Sequence, residues 1–281
     1  MVDLVIAYVD NTDNVWKQNY VNYCIKISRR DKICELHGER YEDIGLINYQ
    51  LKLVEKNMPF INKIYLLVSN IEQVPKGISD KVVVVLHDQF IPQKYLPTFN
   101  STTIEMFLWN IPNLSERFIY ANDDMLPTKP LKETDFFEND KIKVSWVSDK
   151  IKIPNQFRWQ CWFSYSHILE KLGFTTKKYE YEKPFHSMTP MIKSHCVEAY
   201  NLIEKEIVKR IKAFRTDYQH NQYIYPIYEK YKYGTLDSEI DFCYTELKKE
   251  LDLDHQITCI NIIPRNKQRI VIERLNKLCE L

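Results

Sequence analysis

Two adjacent acids that follow an apolar strand are the side chains of this chain best suited to chemistry. The strand covers residues 117–121 (RFIYA), and Asn122, Asp123 and Asp124 come directly after it. Neighbouring carboxylates are costly to bury unless a cation or a proton offsets their charge. The pattern therefore indicates a divalent metal site, a contact with a nucleotide diphosphate, or a general base. The alternative is an Asx turn whose acids are solvated.

The elements before this turn predict an open sheet that would position it. Helical spacing of apolar residues predicts a helix over 44–57, which Pro59 ends. Thr102 and Glu105 have the spacing of a capping box at the start of another helix. Continuous apolar runs predict three further buried strands, at residues 4–9, 63–69 and 81–87. This alternation indicates an α/β fold with a mostly parallel sheet, which holds ligands at the carboxyl ends of its strands.

The second half of the chain changes character and predicts a helical subdomain. A late strand at 256–263 ends at Pro264, and a basic helix over 265–278 follows it. Apolar periodicity predicts three helices before that strand, over residues 159–172, 193–213 and 217–231.

Composition and charge exclude several functional classes. The 281 residues are 44% hydrophobic, which is enough for one large domain with a sizeable core. A net charge of +1 offers no general attraction for nucleic acid. The seven cysteines are scattered and odd in number, which predicts a reducing compartment and neither a disulfide framework nor a zinc site. Since we find no secretory signal and no apolar run of about 20 residues, we expect a cytoplasmic protein.

Several blocks of the sequence resemble one known family, in that family's order along the chain. The longest run contains HDQFIP at 87–92, YLPTFNS at 95–101, IPNLSE at 111–116 and then the acid turn. Before it come DLVIAYVDNTD at 3–13 and a block at 43–55 and 58–70. After it come His186 with Pro190, Phe214 with Arg215, NQY at 221–223 and CIN at 259–261. These blocks resemble the Stealth family of sugar-phosphate transferases, which includes bacterial capsular polysaccharide phosphotransferases and the catalytic subunit of the animal lysosomal-enzyme N-acetylglucosamine-1-phosphotransferase.

The resemblance implies a fold and an activity. The fold would be a Rossmann-like core similar to the A-type nucleotide-sugar transferases. The enzyme would transfer a sugar-1-phosphate, of a hexose or N-acetylhexosamine, from a donor such as UDP-N-acetylglucosamine to a glycan hydroxyl in capsular or cell-surface polysaccharide synthesis. A phosphodiester would form and a nucleoside monophosphate would leave. Spacing does not separate this reaction from ordinary glycosyl transfer with release of a nucleoside diphosphate, and a non-catalytic glycan-binding subunit is a third hypothesis.

Catalytic roles are expected for Asp124, His186 and Arg215. Asp123 and Asp124 are the metal candidates, and their hard oxygen atoms suit Mg²⁺ or Mn²⁺. The resemblance implies that His186 acts as a general acid or base, or that it binds the transferred phosphate. The guanidinium of Arg215 can hold two phosphoryl oxygens, although an ion pair on a helix surface would also explain this residue.

A second group of residues is expected to bind the donor: Tyr8, Asp10, Asp13, Asn100, Ser101, Glu105 and Asn122. A turn that caps the first strand is the alternative for Asp10 and Asp13, and helix capping is the alternative for Ser101 and Glu105. Asn261 is a further candidate whose role stays open, because Ile262 stands where the family pattern has Asp.

We expect one catalytic domain in three parts. These are a nucleotide-sugar-binding α/β core at 1–150, a helical lid or acceptor region at 151–255, and a closing strand with a basic helix at 256–281. The expected partners are the nucleotide-sugar and a glycan acceptor, free or lipid-linked. The basic helix could rest on the anionic surface of the inner membrane, or it could pack against its own domain.

Overall fold

A computed structural model describes residues 1–37, 44–247 and 250–280, except for the side chains of residues 34–37. Asp43, at the start of the second sequence block, lies outside the described residues. The strands are β1 (Val2–Ala7), β2 (Ile61–Val68), β3 (Val82–Leu86), β4 (Arg117–Asn122), β5 (Met125–Pro127), β6 (Phe137–Glu138), β7 (Lys141–Ile142), β8 (Trp146–Lys150), β9 (Glu180–Pro184), β10 (Thr189–Ile192), β11 (Phe242–Thr245) and β12 (Ile257–Ile260). The α-helices are α1 (Asn14–Lys26), α2 (Leu46–Asn57), α3 (Ser101–Glu105), α4 (Gln156–Lys171), α5 (Lys193–Leu202), α6 (Glu204–Arg210), α7 (Ile224–Lys232) and α8 (Gln268–Glu280).

The central sheet has the order β10-β4-β1-β2-β3. The four strands β1 to β4 run parallel to one another, as the apolar runs predict. β10 joins the edge of this sheet antiparallel to β4. Pro190 fits within β10 because an edge strand needs fewer backbone donors than a central strand. The mixed α/β architecture is therefore confirmed, with one antiparallel strand at its edge.

Both faces of the sheet are buried. Val5, Leu67 and Tyr120 point to one face, which packs with the helices of the second half of the chain. Leu4 and Leu66 alternate with them and point to the other face, against α2. Because covered parallel strands are apolar on both sides, their sequences were continuous runs. The predicted helix over 44–57 is α2, and its Ile47, Leu51 and Val54 lie in this second core.

The predicted capping box at Thr102 and Glu105 is wrong. Asn100 caps α3 instead, since its side-chain oxygen accepts from the backbone N–H of Thr102 at 3.2 Å. Glu105 is 4% exposed and accepts from the backbone N–H of Gln222 at 2.9 Å. A buried carboxylate that holds a distant loop has no part in capping its own helix.

The helix predicted over 159–172 is confirmed as α4, which begins three residues earlier, but the next two helices are shorter than their apolar periodicity predicts. The predicted helix over 193–213 is broken at Ile203 into α5 and α6. The predicted helix over 217–231 exists only as α7. Before α7, the side chain of Gln219 accepts from the backbone N–H of Thr216 at 2.8 Å and donates to the carbonyl of Arg210 at 3.1 Å. Such side-chain bonds compete with helical backbone bonds.

The second half also contains strands that the predicted helical subdomain omits. Within residues 151–255, β9 pairs with β8, and β11 pairs with β12, which is the predicted late strand and in turn pairs with β5. The sequence of β9, EYEKP, carries three charged residues and gives no apolar run.

The terminal basic helix is α8, and it packs against its own domain. Val271 and Leu275 are fully buried in a cluster with Leu53 of α2 and Leu126 of β5. Its outer side carries charged residues such as Arg269, and the apolar Ile270 on it is half-exposed. Among the described residues, none of the helices combines the length and the apolar character that crossing a bilayer requires.

Candidate active site

A cleft of about 890 Å³ opens at the carboxyl ends of the parallel strands. Each of these strands delivers a residue to the cleft wall where it ends. Ala7 and Asn122 are the last residues of β1 and β4, and Tyr8, Ser69 and His87 directly follow β1, β2 and β3. The carboxyl edge is where open α/β sheets hold ligands. The expected position of the acid turn is therefore found in the structure.

The acid turn connects β4 to β5 and is fixed through its backbone. The side-chain N–H groups of Gln50 donate to the carbonyls of Asn122 and Met125, each at 2.7 Å. The backbone N–H of Ile260 donates to the carbonyl of Asp124 at 2.9 Å. These bonds hold Asp123 and Asp124 at the wall of the cleft without using their carboxylates.

Asp124 lies against His186 and Cys259. One ligand-type atom from each of the three side chains lies within 4.8 Å of the others. Oδ1 of Asp124 is buried and has no hydrogen-bond partner among the described residues. Burial, together with the nearby Asp124 carboxylate, raises the pKa of the Cys259 thiol well above its ordinary value. Cys259 is therefore a protonated thiol beside the carboxylate, and a hydrogen-bond donor to it.

His186 lies in the loop between β9 and β10 and is kept neutral by its surroundings. Its Nδ1 lies 3.2 Å from the hydroxyl of Tyr223. Burial lowers the pKa of His186 below 6.5, while the Asp124 carboxylate partly opposes this shift. A neutral imidazole at pH 7 can accept a proton, which is what a general base must do.

In this group of side chains, only the carboxylate oxygens suit a hard divalent cation. The buried and unpartnered oxygen of Asp124, together with the adjacent Asp123, offers the hard ligands that Mg²⁺ and Mn²⁺ prefer. The protonated thiol of Cys259 is a poor ligand for such an ion. Asp123 and Asp124 are thus the residues that could hold it, as the sequence suggested.

Arg215 belongs to a polar chain along the wall of the cleft and is not on a helix surface. It lies in the irregular segment between α6 and α7, and its Nη2 donates to the hydroxyl of Ser101. Ser101 in turn bonds to the carboxylate of Glu105. Burial raises the pKa of Glu105, and the Arg215 charge opposes that rise. The guanidinium therefore offers the cleft a positive charge that interacts with the buried Glu105 side chain.

The structure places most of the predicted donor residues at the cleft but separates two of them. Of the predicted donor residues, those that line the cleft are Tyr8, Asn100, Ser101, Glu105 and Asn122, and the further candidate Asn261 lines it too. Asp10 and Asp13 are outside its lining. Asp13 caps α1 by accepting from the backbone N–H groups of Val15 and Trp16 at 2.9 and 3.0 Å. Asp10 accepts from Thr12 in a local turn.

Three basic side chains of the cleft were not chosen from the sequence. Lys183, Arg158 and His87 all line it. Burial lowers the pKa of Lys183, whose Nζ lies 5.7 Å from the ring of Phe157 and donates to the carbonyl of Pro184 at 3.2 Å. The only signal for Lys183 was its place three residues before His186. Cys259 was quoted in the motif, but its contact with Asp124 depends on the pairing of β12 with β5.

Comparison with known proteins identifies the family. The family model described as Stealth protein CR2, conserved region 2, matches residues 40–145. A capsular polysaccharide phosphotransferase of Actinobacillus pleuropneumoniae is 31% identical in a match of 253 residues that covers 86% of this chain and 69% of that relative. One of Streptococcus thermophilus is 34% identical, over 66% of this chain and 76% of the relative. One of Neisseria meningitidis serogroup B is 32% identical, over 73% of this chain and 57% of the relative. The chain therefore belongs to the Stealth family and is a phosphotransferase.

Proposed function

We propose that this enzyme transfers a sugar-1-phosphate from a nucleotide diphosphate-sugar, such as a UDP-linked hexose or N-acetylhexosamine, to a hydroxyl of a glycan acceptor. The similarity to capsular polysaccharide phosphotransferases supports a role in making a capsular or cell-surface polysaccharide. The observation that carries the proposal is one cleft in which Asp124, neutral His186 and cationic Arg215 all line the wall. Phosphoryl transfer requires positioning and charge stabilisation, which this set provides.

His186 accepts the proton of the acceptor hydroxyl in the proposed reaction. The acceptor oxygen then forms a bond to the phosphorus that carries the sugar. The bond from this phosphorus to the bridging oxygen of the diphosphate breaks, and its electron pair leaves with the nucleoside monophosphate. Arg215 and Lys183 stabilise the charge that develops on the phosphoryl oxygens and on the leaving group.

Asp123 and Asp124 would hold Mg²⁺ or Mn²⁺, which would neutralise charge on the donor diphosphate. The carboxylate of Asp124 also faces His186 and would stabilise the imidazolium that forms when the ring accepts a proton. Cys259 would orient this carboxylate from its buried side.

The fold gives the three parts of the chain separate tasks in this proposal. The sheet with its ligand cleft at the carboxyl edge supports a Rossmann-like donor core of the A-type transferases at residues 1–150. Residues 151–255 supply His186, Lys183 and Arg215 on the acceptor side, and residues 256–281 close the cleft around Asn261. We place the reaction in the cytoplasm, on a free or lipid-linked acceptor beside the inner membrane, which the charged outer side of α8 could approach.

The released nucleotide tests the reaction. The enzyme is incubated with UDP-sugars and the glycan extracted from the source cells, and the nucleotides are separated by anion-exchange chromatography. The proposal expects UMP, whereas UDP would indicate an ordinary glycosyltransferase. Asp124→Asn should reduce UMP release by roughly a hundredfold or more. Asp140→Asn is the matched control, because the Asp140 side chain is 94% exposed and its ion pair with Arg117 lies on the surface.

A further inference from the structure

Three exposed aromatic rings stand at the cleft on the side of His186. Phe157, Phe185 and Tyr244 line the cleft, and they are 38%, 45% and 43% exposed. Most large side chains of this protein are buried in its core clusters. Grouped exposed rings at the wall of a cleft mark a surface that binds a partner or ligand.

Different elements bring these rings to the same imidazole. Phe157 is in the first turn of α4, and its ring centroid lies 6.3 Å from that of His186. Tyr244 is on β11, and its ring centroid lies 5.9 Å from that of His186. Both rings are steeply inclined to the imidazole, at 79° and 74°. Phe185 directly precedes His186 in the chain.

The aromatic surface continues from the cleft into a second, smaller cavity of about 220 Å³. Phe185 and Phe242 line both cavities, and their ring centroids are 5.8 Å apart. The smaller cavity also has hydroxyl side chains in its wall, among them Ser187 and Thr189. A ligand made of several linked units, with its first unit at His186, can therefore extend over Phe185 to a wall with both apolar and polar groups.

We infer that Phe157, Phe185 and Tyr244 form the binding surface for the sugar rings of the acceptor glycan, with the next unit of the chain in the smaller cavity. This inference rests on the proposed role of His186 as the base that takes the proton of the acceptor hydroxyl. That hydroxyl must come within about 3 Å of the imidazole, which places its pyranose ring against side chains whose centroids lie 5.9 and 6.3 Å away. A pyranose presents an apolar face of C–H groups to such a ring and leaves its hydroxyls free at the rim.

The donor has different requirements. Its diphosphate needs cationic groups, which Arg215 and a metal on the acid turn would supply. Uncharged rings give a diphosphate no stabilisation. Stacking of the nucleotide base on the same rings is the competing assignment, and it predicts loss of nucleotide binding in place of glycan binding.

Binding measured without turnover tests the inference. The probe is an oligosaccharide fraction prepared by partial hydrolysis of the surface glycan of the source cells, titrated by saturation-transfer NMR. Phe185→Ala should raise its dissociation constant about tenfold, and Phe185→Tyr should restore most of the affinity. Phe174→Ala is the matched control, since Phe174 is 46% exposed, packs on Tyr231 and is outside the cleft lining. UDP affinity, titrated in parallel, should stay unchanged in all three variants.

Three outcomes would overturn the inference. They are a wild-type protein that shows no saturable oligosaccharide binding, an unchanged dissociation constant in Phe185→Ala, and a loss of UDP affinity in place of oligosaccharide affinity. Phe185→Leu keeps the apolar volume without the flat ring and should also bind the oligosaccharide weakly, which separates stacking from a disturbed fold. Because no reaction takes place in this titration, its result does not depend on which nucleotide the enzyme releases.

Discussion

Burial of His186 sets the protonation state on which the proposed proton transfer depends. Its pKa is lowered mainly because the charged imidazole loses solvation, and the Asp124 carboxylate restores only part of that loss. The ring is therefore neutral near pH 7, and the rate should fall when acid protonates it. We expect kcat/KM to fall on the acidic side with an apparent pKa below 6.5.

His186→Gln should reduce turnover by roughly a hundredfold to ten-thousandfold and should remove the acidic limb from the residual activity. The measurement is a pH profile of kcat/KM for the wild type and the variant. His255→Gln is the control, because His255 lies apart from the cleft and bonds to Asp241. An acidic limb that survives in His186→Gln would show that another group accepts the proton.

Arg215 and Glu105 form a second coupled pair at the residue scale. Glu105 is buried, and the positive charge of Arg215 opposes the rise of its pKa. Arg215→Met should lower the free energy of unfolding by about 2 kcal/mol, because a buried carboxylate loses its nearby cation. Adding Glu105→Gln should restore most of that stability, as measured by urea unfolding.

Measuring donor binding shows whether Arg215 contacts a donor phosphate or only stabilises the buried Glu105. Titration with the UDP-sugar should show at least a tenfold loss of affinity in Arg215→Met and no recovery in the double variant. Arg269→Met, at a side chain that is 91% exposed, is the surface control. Recovery of donor affinity together with stability would mean that Arg215 only stabilises Glu105.

At the scale of elements, Asp13 is the N-cap residue of α1, and this explains its position outside the cleft lining. Its carboxylate accepts from two backbone N–H groups of the helix and from the side chain of Asn70 at 2.7 Å. We expect Asp13→Ala to lower the free energy of unfolding by about 1–2 kcal/mol, whereas Asp13→Asn, which keeps a capping oxygen, should change it little. The KM for the donor should stay within about threefold in both variants. A large rise in that KM with unchanged stability would return Asp13 to the donor site.

The sequence predicted the elements that have a local signal. β1, β2 and β4 are buried on both faces and β3 is partly buried, so their apolar runs were visible, and the sheet rule then placed the acid turn at the ligand edge. β9 was not visible because Glu180, Glu182 and Lys183 give it a polar sequence. The cap of α3 was misassigned because Glu105 bonds to Gln222, which is distant in the chain.

Contacts between distant segments account for what the sequence could not show at the site. Cys259 reaches Asp124 only because β12 pairs with β5. The loop that carries His186 reaches the cleft because β10 joins the edge of the central sheet beside β4. Pairings of this kind carry no short-range signal, so Lys183 and the exposed ring of Phe185 could not be assigned to the cleft from spacing alone.

At the scale of the whole molecule, buried histidines should make the fold sensitive to acid. Burial lowers the pKa of His87 to about 4, compared with 6.5 when it is exposed. Between these values the unfolded chain binds more protons than the folded chain, so stability rises with pH in this window and is lost as the pH falls. His87 alone should contribute a loss of about 3 kcal/mol between pH 6.5 and pH 4.

Urea unfolding at several pH values checks this prediction in the wild type and in His87→Gln, where the loss between pH 6.5 and 4 should shrink. His255 gives a control of opposite sign, because hydrogen bonding to Asp241 raises its pKa. Its contribution to stability is complete below pH 6.5 and is lost as the pH rises through its folded pKa, so His255→Gln should not reduce the acid sensitivity. An equal loss on acidification in wild type and His87→Gln would contradict the assignment.

The destination of the donor phosphate tests the central claim most directly. A UDP-sugar is labelled with radioactive phosphorus in the phosphate attached to the sugar, and the glycan and the nucleotides are separated after reaction. Attack on that phosphorus predicts that the label enters the glycan as a phosphodiester while unlabelled UMP is released. Label that stays in UDP, with none in the glycan, would contradict the account.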